Sequence, residues 1–348
     1  PISTGVPFPK GALWKAAYAR VVRADGGAIA AQFSARARWG HGPDAAIRWL
    51  GVDFQAEGAP AWWPERKDTR YYLEFGPGLS GPGASRPLRI EERPEGLRVD
   101  TGPLQFLVRR AGFNLLDQVA LNGREVLPSA PQAGLYLVDH EGSVYRAAND
   151  RETTLAVEER GPLRAVIRVE GWFVRDGVAG TQTDWKLPTE RLCRHVTRIE
   201  VYAGKPYVRV LNTWILTFDS LSIRLRDVGI ALPLRDGSAA EFGVEGSAPA
   251  RTAVPREGAR LVQHLSDAFA VEDGTGRLRQ AGRRSAGWVI AETPAAAVAV
   301  GHRDTWQRFP KEFEVLPDAL RFHIWPAHGR IHPEIRETAA EEIHKLWF

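Results

Sequence analysis

Most apolar residues of this chain fall in short alternating runs that glycine and proline separate, a pattern typical of β-strands. From residue 88 onward these runs follow one another without helical periodicity between them. Asn122-Gly123 and Ala203-Gly204-Lys205 have the composition of hairpin turns. Dense strands without intervening helices predict an all-β chain with a large antiparallel β-sandwich. The strands predicted for this part are Leu88–Arg93, Gly96–Asp100, Leu104–Arg109, Gly134–Asp139, Leu163–Phe173, Val196–Tyr202, Tyr207–Phe218, Leu221–Leu232 and Ala319–Trp325.

The first 88 residues differ from the remainder in pattern. Two prolines on either side of Phe8 predict an extended start, and Ala46–Gln55 and Arg70–Phe75 alternate as strands. The run Gly76–Pro87 begins with the GxGxxG spacing of a dinucleotide site at Gly76–Gly81, but Pro77 and Pro82 remove backbone donors and no helix pattern follows. We therefore interpret it as a linker. The length of 348 residues also favours two domains, at residues 1–88 and 89–330.

The last stretch, residues 331–348, has a helical pattern. Ile335, Ala339, Ile343 and Leu346 recur at helical spacing, and acidic residues occupy the first turns. The pattern stops on apolar residues without a capping glycine. We expect this segment to open a helical domain of which the chain contains only the start.

Composition limits the choice of partners. The net charge is +4, and the basic residues are scattered singly among nearly as many acids, so nucleic acid is not an expected partner. No apolar run approaches the roughly 20 residues of a membrane span. Only seven of the 46 basic residues are lysine, and the arginines that make up the rest pair well with carboxylates. An acidic ligand is compatible with this composition.

The single cysteine, Cys193, excludes an internal disulfide and leaves the cellular compartment undecided. The chain starts on Pro1 and contains no methionine, which favours the interpretation that an N-terminal piece is missing. There is no HExxH, GxSxG or P-loop motif, so we expect neither a metal nor another cofactor.

The candidate chemistry is concentrated between residues 295 and 333. Ala295–Val300 is predicted to be a short buried strand, and a loop rich in functional side chains follows Gly301. A second loop follows the strand Ala319–Trp325 and carries His328 and His332. An imidazole, fixed cations, a carboxylate and an aromatic ring together suit a charged sugar. The candidate residues are His302, Arg303, Asp304, Trp306, Gln307, Lys311 and His328.

Each of these features also has a purely structural interpretation. A polar loop between antiparallel strands is often only a solvated turn, and Trp306 and Phe309 can pack as a small apolar cluster beneath it. His323, His328 and His332 lack a fixed spacing for a metal. Most of the twelve tryptophans are expected to pack the sandwich, whereas Trp62, Trp63 and Trp306 lie in predicted loops where they can also stack on sugar rings.

Several stretches, taken in order, resemble the exo-rhamnogalacturonan lyase (YetA-like) family of polysaccharide lyases. Each stretch is weakly specific alone, and their order along the chain carries the resemblance. The stretches are Gly5–Gly11, Arg48–Gln55, Asp100–Leu104, Gly161–Ala165 with Glu170-Gly171, Tyr202–Pro206, and His302-Arg303-Asp304 with Trp306 and Pro310-Lys311.

This resemblance implies a small N-terminal β-barrel of the RIFT type, a central β-sandwich and a C-terminal α/α toroid, of which residues 331–348 would be the beginning. It also implies cleavage of a uronate-containing pectic backbone by β-elimination. In that chemistry a cation neutralises the uronate carboxylate while a base removes the C5 proton. Arg303 is the candidate for the cation. His302 is the candidate for either this base or the acid that protonates the departing oxygen, and the other group can lie in the toroid.

The remaining candidates, Asp304, Trp306, Gln307, Lys311 and His328, would bind the acidic polysaccharide. Two other classes stay open. One is a non-catalytic carbohydrate-binding sandwich, because fold alone does not decide function. The other is a glycoside hydrolase of similar layout, which needs two carboxylates, whereas Asp304 is the only acid of the central loop.

Overall fold

The computed structural model describes residues 1–56, 70–177, 190–219 and 223–328. The described part is almost entirely antiparallel β-structure, which confirms the predicted all-β class. Its helical content is two single 3-10 turns, Ala16–Tyr18 and Ala147–Asn149. No helix in this part has the length and apolar character needed to cross a membrane. The predicted C-terminal helical segment and the Trp62-Trp63 pair lie outside the described residues.

The N-terminal unit consists of two three-stranded sheets that enclose one apolar cluster. The sheet orders are β1-β5-β4 and β3-β2-β6. Ile47 and Leu50 are fully buried in the cluster between them. The RIFT type of this unit and the domain boundaries stay predictions. The strands are β1 Ile2–Pro7, β2 Ala19–Arg23, β3 Ala28–Ile29, β4 Ala31–Arg38, β5 Ile47–Phe54 and β6 Tyr71–Phe75.

A five-stranded sheet and a four-stranded sheet form one layer of the sandwich. The five-stranded sheet has the order β11-β10-β9-β8-β7 and the four-stranded sheet has the order β20-β19-β24-β25. Their strands are β7 Arg89–Arg93, β8 Gly96–Asp100, β9 Leu104–Arg109, β10 Asp117–Leu121, β11 Arg124–Leu127, β19 Ala239–Val244, β20 Ala250–Ala253, β24 Ser285–Glu292 and β25 Ala297–Gly301.

A twelve-stranded sheet forms the other layer. Its order is β17-β16-β15-β13-β12-β18-β27-β26-β21-β22-β23, with β14 paired to β15. Its strands are β12 Gly134–Asp139, β13 Val144–Arg146, β14 Thr154–Glu159, β15 Arg164–Arg175, β16 Arg191–Tyr202, β17 Val208–Leu216, β18 Leu225–Pro233, β21 Ala259–Leu265, β22 Ala268–Asp273, β23 Leu278–Gly282, β26 Lys311–Val315 and β27 Ala319–Trp325.

A single apolar core joins these layers. It contains Phe106 from the five-stranded sheet, Phe242 from the four-stranded sheet and Phe313 from the twelve-stranded sheet, all fully buried. We call the face of the twelve-stranded sheet that packs on this core the core face, and the opposite one the outer face. Because side chains alternate between the two faces, consecutive residues of one strand contact opposite sides of the sheet.

Most predicted strands occur within a few residues of their expected positions, and both predicted turns connect hairpins. Asn122 and Gly123 have φ values of 50° and 80°, the left-handed conformation that a tight turn between β10 and β11 requires. The prediction that Ala295–Val300 is a buried strand is wrong. The strand, β25, is the outermost one of the four-stranded sheet, and its residues alternate between exposed and half-buried. An edge strand lacks a second neighbour to cover it.

Hydrogen bonds and ion pairs join the N-terminal unit to the sandwich. The Gln32 carboxamide accepts from the backbone N–H groups of Leu163 and Arg164, both at 3.1 Å, and donates to the Arg164 carbonyl at 3.1 Å. Gln55 donates to the Ala203 carbonyl. A Cβ at Gly161 would collide with the Gln32 carboxamide. The missing side chain at residue 161 therefore permits this contact.

An ionic cluster lies at the same junction. Arg164, which is 8% exposed, contacts Glu159 at 2.6 Å, Glu200 at 2.8 Å and Asp53 of the N-terminal unit at 3.7 Å. Arg36 of the N-terminal unit forms a bidentate pair with Glu159. One buried guanidinium thus compensates three carboxylates from two units.

We expect Arg164→Ala to lower the free energy of unfolding by about 3 to 5 kcal/mol, because three carboxylates lose their shared buried cation. Denaturant unfolding measures the loss. The control is Arg235→Ala, which removes an exposed pair with Glu125 and should cost less than about 1 kcal/mol. Equal losses in the two variants would contradict a central role for Arg164.

Candidate functional site

The loop from residue 302 to residue 310 connects β25 to β26 and is fixed against β24. The His302 backbone N–H donates to the Gly287 carbonyl at 2.8 Å. Gly287 has a φ of +76°, and a Cβ there would lie 2.5 Å from Thr305 Oγ1 and 2.6 Å from the His302 carbonyl oxygen. Only glycine allows β24 to approach the loop this closely.

Thr305 determines the tautomer of His302. The single hydroxyl proton of Thr305 goes to the His302 carbonyl at 2.9 Å, and the same Oγ1 lies 3.1 Å from His302 Nδ1. The hydroxyl has no second proton to give, so Nδ1 carries a proton and donates it to Oγ1. The lone pair of the neutral imidazole is consequently on Nε2.

Burial lowers the pKa of His302 to about 4, and the nearby cations Lys311 and Arg308 contribute in the same direction, while Asp304 opposes them. The ring also packs on Phe322, with centroids 4.9 Å apart. Near neutral pH this half-buried imidazole is uncharged. The lone pair on Nε2 is therefore available to accept a proton, even with Lys311 and Arg308 nearby.

Arg303 follows the half-buried, neutral His302 but is itself exposed and charged. Its side chain is 88% exposed, and its described ionic contact is Asp304, with Nε 3.9 Å from Oδ1. Asp304 has a φ of 62°, a left-handed conformation that turns the loop at this point. Gln307 is also exposed. The loop thus presents a solvated guanidinium beside hydrogen-bonding groups.

Trp306 is half-buried and has a cation on its ring. The guanidinium carbon of Arg284 lies 3.9 Å from the centroid of the indole. Sequence reasoning missed Arg284 because it precedes β24, far from the loop along the chain. It also missed Thr305, although a threonine three residues after a histidine was a possible signal of a local turn.

Lys311 lies inside the protein at the start of β26. It is 7% exposed, and its Nζ donates to the carbonyls of Arg308 and Pro310. Burial lowers its pKa to about 8, with a contribution from Arg308. These contacts fix the end of the loop.

The structure separates His328 from this loop. His328 Nδ1 lies 3.2 Å from Oε1 of Glu312, which is fully buried. Glu312 is the neighbour of Lys311 in β26, so the two side chains point to opposite faces of the sheet. The loop therefore brings together His302, Arg303, Asp304, Trp306, Gln307 and Lys311, while His328 belongs to the outer face.

A second group of titratable residues, the outer-face cluster, occupies that other face. It consists of Tyr136, Asp227, Glu312, Glu314 and His323 from four adjacent strands. His323 Nδ1 is 2.9 Å from Asp227 and 3.0 Å from the Tyr136 hydroxyl. Its Nε2 is 3.6 Å from Glu314 and 4.0 Å from Glu312. The alternation Lys-Glu-Phe-Glu-Val in β26 was the sequence signal for this cluster.

Burial alone would lower the pKa of His323, but hydrogen bonds to Asp227 and Glu314 and the charge of Glu312 raise it to about 10. His323 is therefore a buried cation among carboxylates at neutral pH. The carboxylates of Asp227, Glu312 and Glu314 lie within 4.0 Å of its ring nitrogens and compensate its charge, which indicates a structural ion cluster. Across residues 1–56, 70–177, 190–219 and 223–328, no group of three His, Cys, Asp or Glu side chains has a geometry that could hold a metal.

The fold and the loop together define a β-sandwich protein with a basic, aromatic loop at one sheet end. The model of the family described as "PcRGLX-like protein central beta sandwich domain" matches residues 88–238. A curated relative, "Uncharacterized protein YetA" of Bacillus subtilis (strain 168), is 21% identical over 240 residues, which cover 67% of this chain. These matches confirm the predicted similarity to YetA-like, rhamnogalacturonan lyase-like proteins.

The matched part of YetA is 25% of its length, so the chain spans about a quarter of that relative. The match to the family model ends at residue 238, before the loop at residues 302–310. The roles of the candidate residues therefore stay predictions.

We expect nuclear magnetic resonance of ¹⁵N-labelled protein at pH 7 to show His302 as the neutral Nδ1–H tautomer, with the pyridine-like nitrogen at Nε2. Because burial lowers its pKa to about 4, the ring should stay neutral down to about pH 5. Thr305→Val should weaken the tautomer preference and Thr305→Ser should restore it. An Nε2–H tautomer in the wild type would refute the assignment.

Stability should depend on pH through His323. Its folded pKa of about 10 exceeds the ordinary value of 6.5, so its contribution is complete below about pH 6.5 and is lost as pH rises through 10. We expect His323→Gln to cost about 3 kcal/mol at pH 6, with a smaller difference from wild type at pH 10. Denaturant unfolding at both pH values measures this, with the exposed His140→Gln as control. A pH-independent difference would contradict the charged state of His323.

Proposed function

We propose that this chain is part of a polysaccharide lyase that cleaves a uronate-containing, rhamnogalacturonan-like pectic polymer by β-elimination. One observation carries the proposal: a neutral imidazole with its lone pair on Nε2 precedes a solvated guanidinium in the loop at residues 302–310. The similarity of residues 88–238 to the PcRGLX-like central sandwich supports the reaction class.

The chemistry needs both groups. Nε2 of His302 removes the C5 proton, the electron pair of that C–H bond forms the C4–C5 double bond, and the C4–O bond breaks. Charge accumulates beside the uronate carboxylate, so Arg303 pairs with that carboxylate and stabilises the transition state. A group outside this loop gives a proton to the leaving oxygen. A neutral imidazole suits the role of base, because a protonated one has no lone pair to accept the proton.

The other loop residues hold the sugar in this proposal. Trp306 offers its indole for stacking, and Asp304 and Gln307 bind hydroxyl groups. Lys311 acts as a positioning residue, because its ammonium group holds the Arg308 and Pro310 carbonyls. His328 has no part in binding at this loop, since it contacts Glu312 on the other face of the sheet.

The test is the rate at which the complete protein generates unsaturated sugar ends from rhamnogalacturonan, followed by ultraviolet absorbance. His302→Ala should lower this rate by about 100-fold or more, as expected for loss of a general base. Arg303→Ala should lower it by a similar factor, and Arg303→Lys should recover part of it. The control, Arg256→Ala, changes an exposed arginine in the turn before β21 and should have no effect.

Wild-type rates in both loop variants would remove this loop from the mechanism. Binding of the polymer without any unsaturated product would instead support a non-catalytic carbohydrate-binding protein. Saturated products would indicate a glycoside hydrolase, which requires a second carboxylate near Asp304.

A further inference from the structure

Exposed tryptophans are concentrated in the N-terminal unit. Among the described tryptophans, the exposed ones are Trp14 at 54%, Trp39 at 42% and Trp49 at 42%. The described tryptophans of the sandwich are half-buried or buried. A solvated indole is unusual because it leaves a large apolar surface in water, so three in one small unit indicate a binding surface.

Backbone contacts place these tryptophans at the same end of the β1-β5-β4 sheet. The Trp39 indole N–H donates to the Phe8 carbonyl, and the Phe8 N–H donates to the Arg48 carbonyl. Trp49 is opposite Pro7 in the pairing of β1 with β5. The segment with Trp14 joins them through Arg38, whose Nη1 contacts the carbonyls of Trp14 and Ala45.

A hollow of about 600 Å³ lies beside Trp14. Lys15, Arg38, Pro43 and Asp44 contribute to its lining. Two of these side chains are cations and one is a carboxylate, so the hollow combines an aromatic wall with positive charge and an acceptor for hydroxyl groups. Arg38 uses only Nη1 in its hydrogen bonds to described residues, which leaves its other nitrogens as donors.

A second cation lies on the neighbouring indole. The Arg48 guanidinium is 5.0 Å from the centroid of the Trp39 ring. Aromatic faces stack on the apolar faces of pyranose rings, and guanidinium or ammonium groups pair with carboxylates. Two exposed indoles that each have a cation nearby match a chain of sugars that carry carboxylates.

We propose that the surface formed by Trp14, Lys15, Arg38, Trp39 and Arg48 binds a uronate-bearing oligosaccharide. Trp14 stacks on a sugar ring, Lys15 and Arg38 pair with a uronate carboxylate, and Asp44 accepts from hydroxyl groups. This second site belongs to the N-terminal unit, and its argument is independent of the loop at residues 302–310.

The experiment is calorimetric titration of the complete protein with an oligogalacturonate and with the same oligomer after reduction of its carboxyl groups to alcohols. To prevent turnover and to remove the carboxylate-binding group of the loop at residues 302–310, both titrations use the background of the double variant His302→Ala, Arg303→Ala. We expect Trp14→Ala to weaken binding of the acidic oligomer about tenfold, as truncation of a central aromatic contact does. Lys15→Ala should weaken it about threefold and reduce its dependence on salt.

The matched control is Tyr207→Ala, which removes an exposed aromatic side chain of the sandwich and should leave the affinity unchanged. If Trp14→Ala perturbs folding, Lys15→Glu provides a second test, because it reverses a charge at an exposed position and should weaken binding of the acidic oligomer more than Lys15→Ala does. Undiminished binding in the Trp14 and Lys15 variants would overturn the proposal. Equal affinity for the carboxyl-reduced oligomer would also overturn it.

The results distinguish this site from the proposed lyase function. Loss of affinity in Trp14→Ala without any unsaturated product in wild type would support the binding site and refute the lyase. Normal affinity in Trp14→Ala together with lyase activity in wild type would support the lyase and refute the binding site.

Discussion

Neighbouring residues of a strand point to opposite faces, and this constraint determines which side chains can meet in the sandwich. In β26, Lys311 turns to the side of the loop, whereas Glu312 turns to the outer face and contacts His328. In β27, Phe322 packs under His302, whereas His323 joins the carboxylates. Two groups of titratable residues that are adjacent in sequence are therefore separated by the thickness of a sheet.

The two groups differ in how their charges are compensated. In the outer-face cluster, carboxylates compensate the charge of a buried cation. Its side chains are therefore held in place, and the cluster contributes to the stability of the fold. The loop at residues 302–310 leaves Arg303 in solvent and keeps His302 neutral by burial. A solvated charge and an available lone pair are what a ligand can use, and this contrast is the reason to assign chemistry to the loop.

Local patterns predicted the strands well because alternation and turn residues act over a few positions. Asn122-Gly123 needed no knowledge of the rest of the chain to be recognised as a turn. The edge position of β25 depends on which strands lie beside it, and the contact between Gln32 and Arg164 joins residues 132 positions apart. Seven candidate residues came from one stretch of sequence, and their spacing could not show that His328 points away from the other six. Arg284 and Thr305 could be assigned only from the folded loop.

Three of the stretches that carried the family resemblance contact one another where the two units meet. Asp53 contacts Arg164, and Gln55 donates to the Ala203 carbonyl. Gly161 belongs to the same junction, because the space that it leaves open is filled by Gln32. A larger residue at position 161 would therefore require a different side chain at position 32. An N-terminal unit taken from a relative would keep this contact only if it also brought a side chain that fills the space beside Gly161.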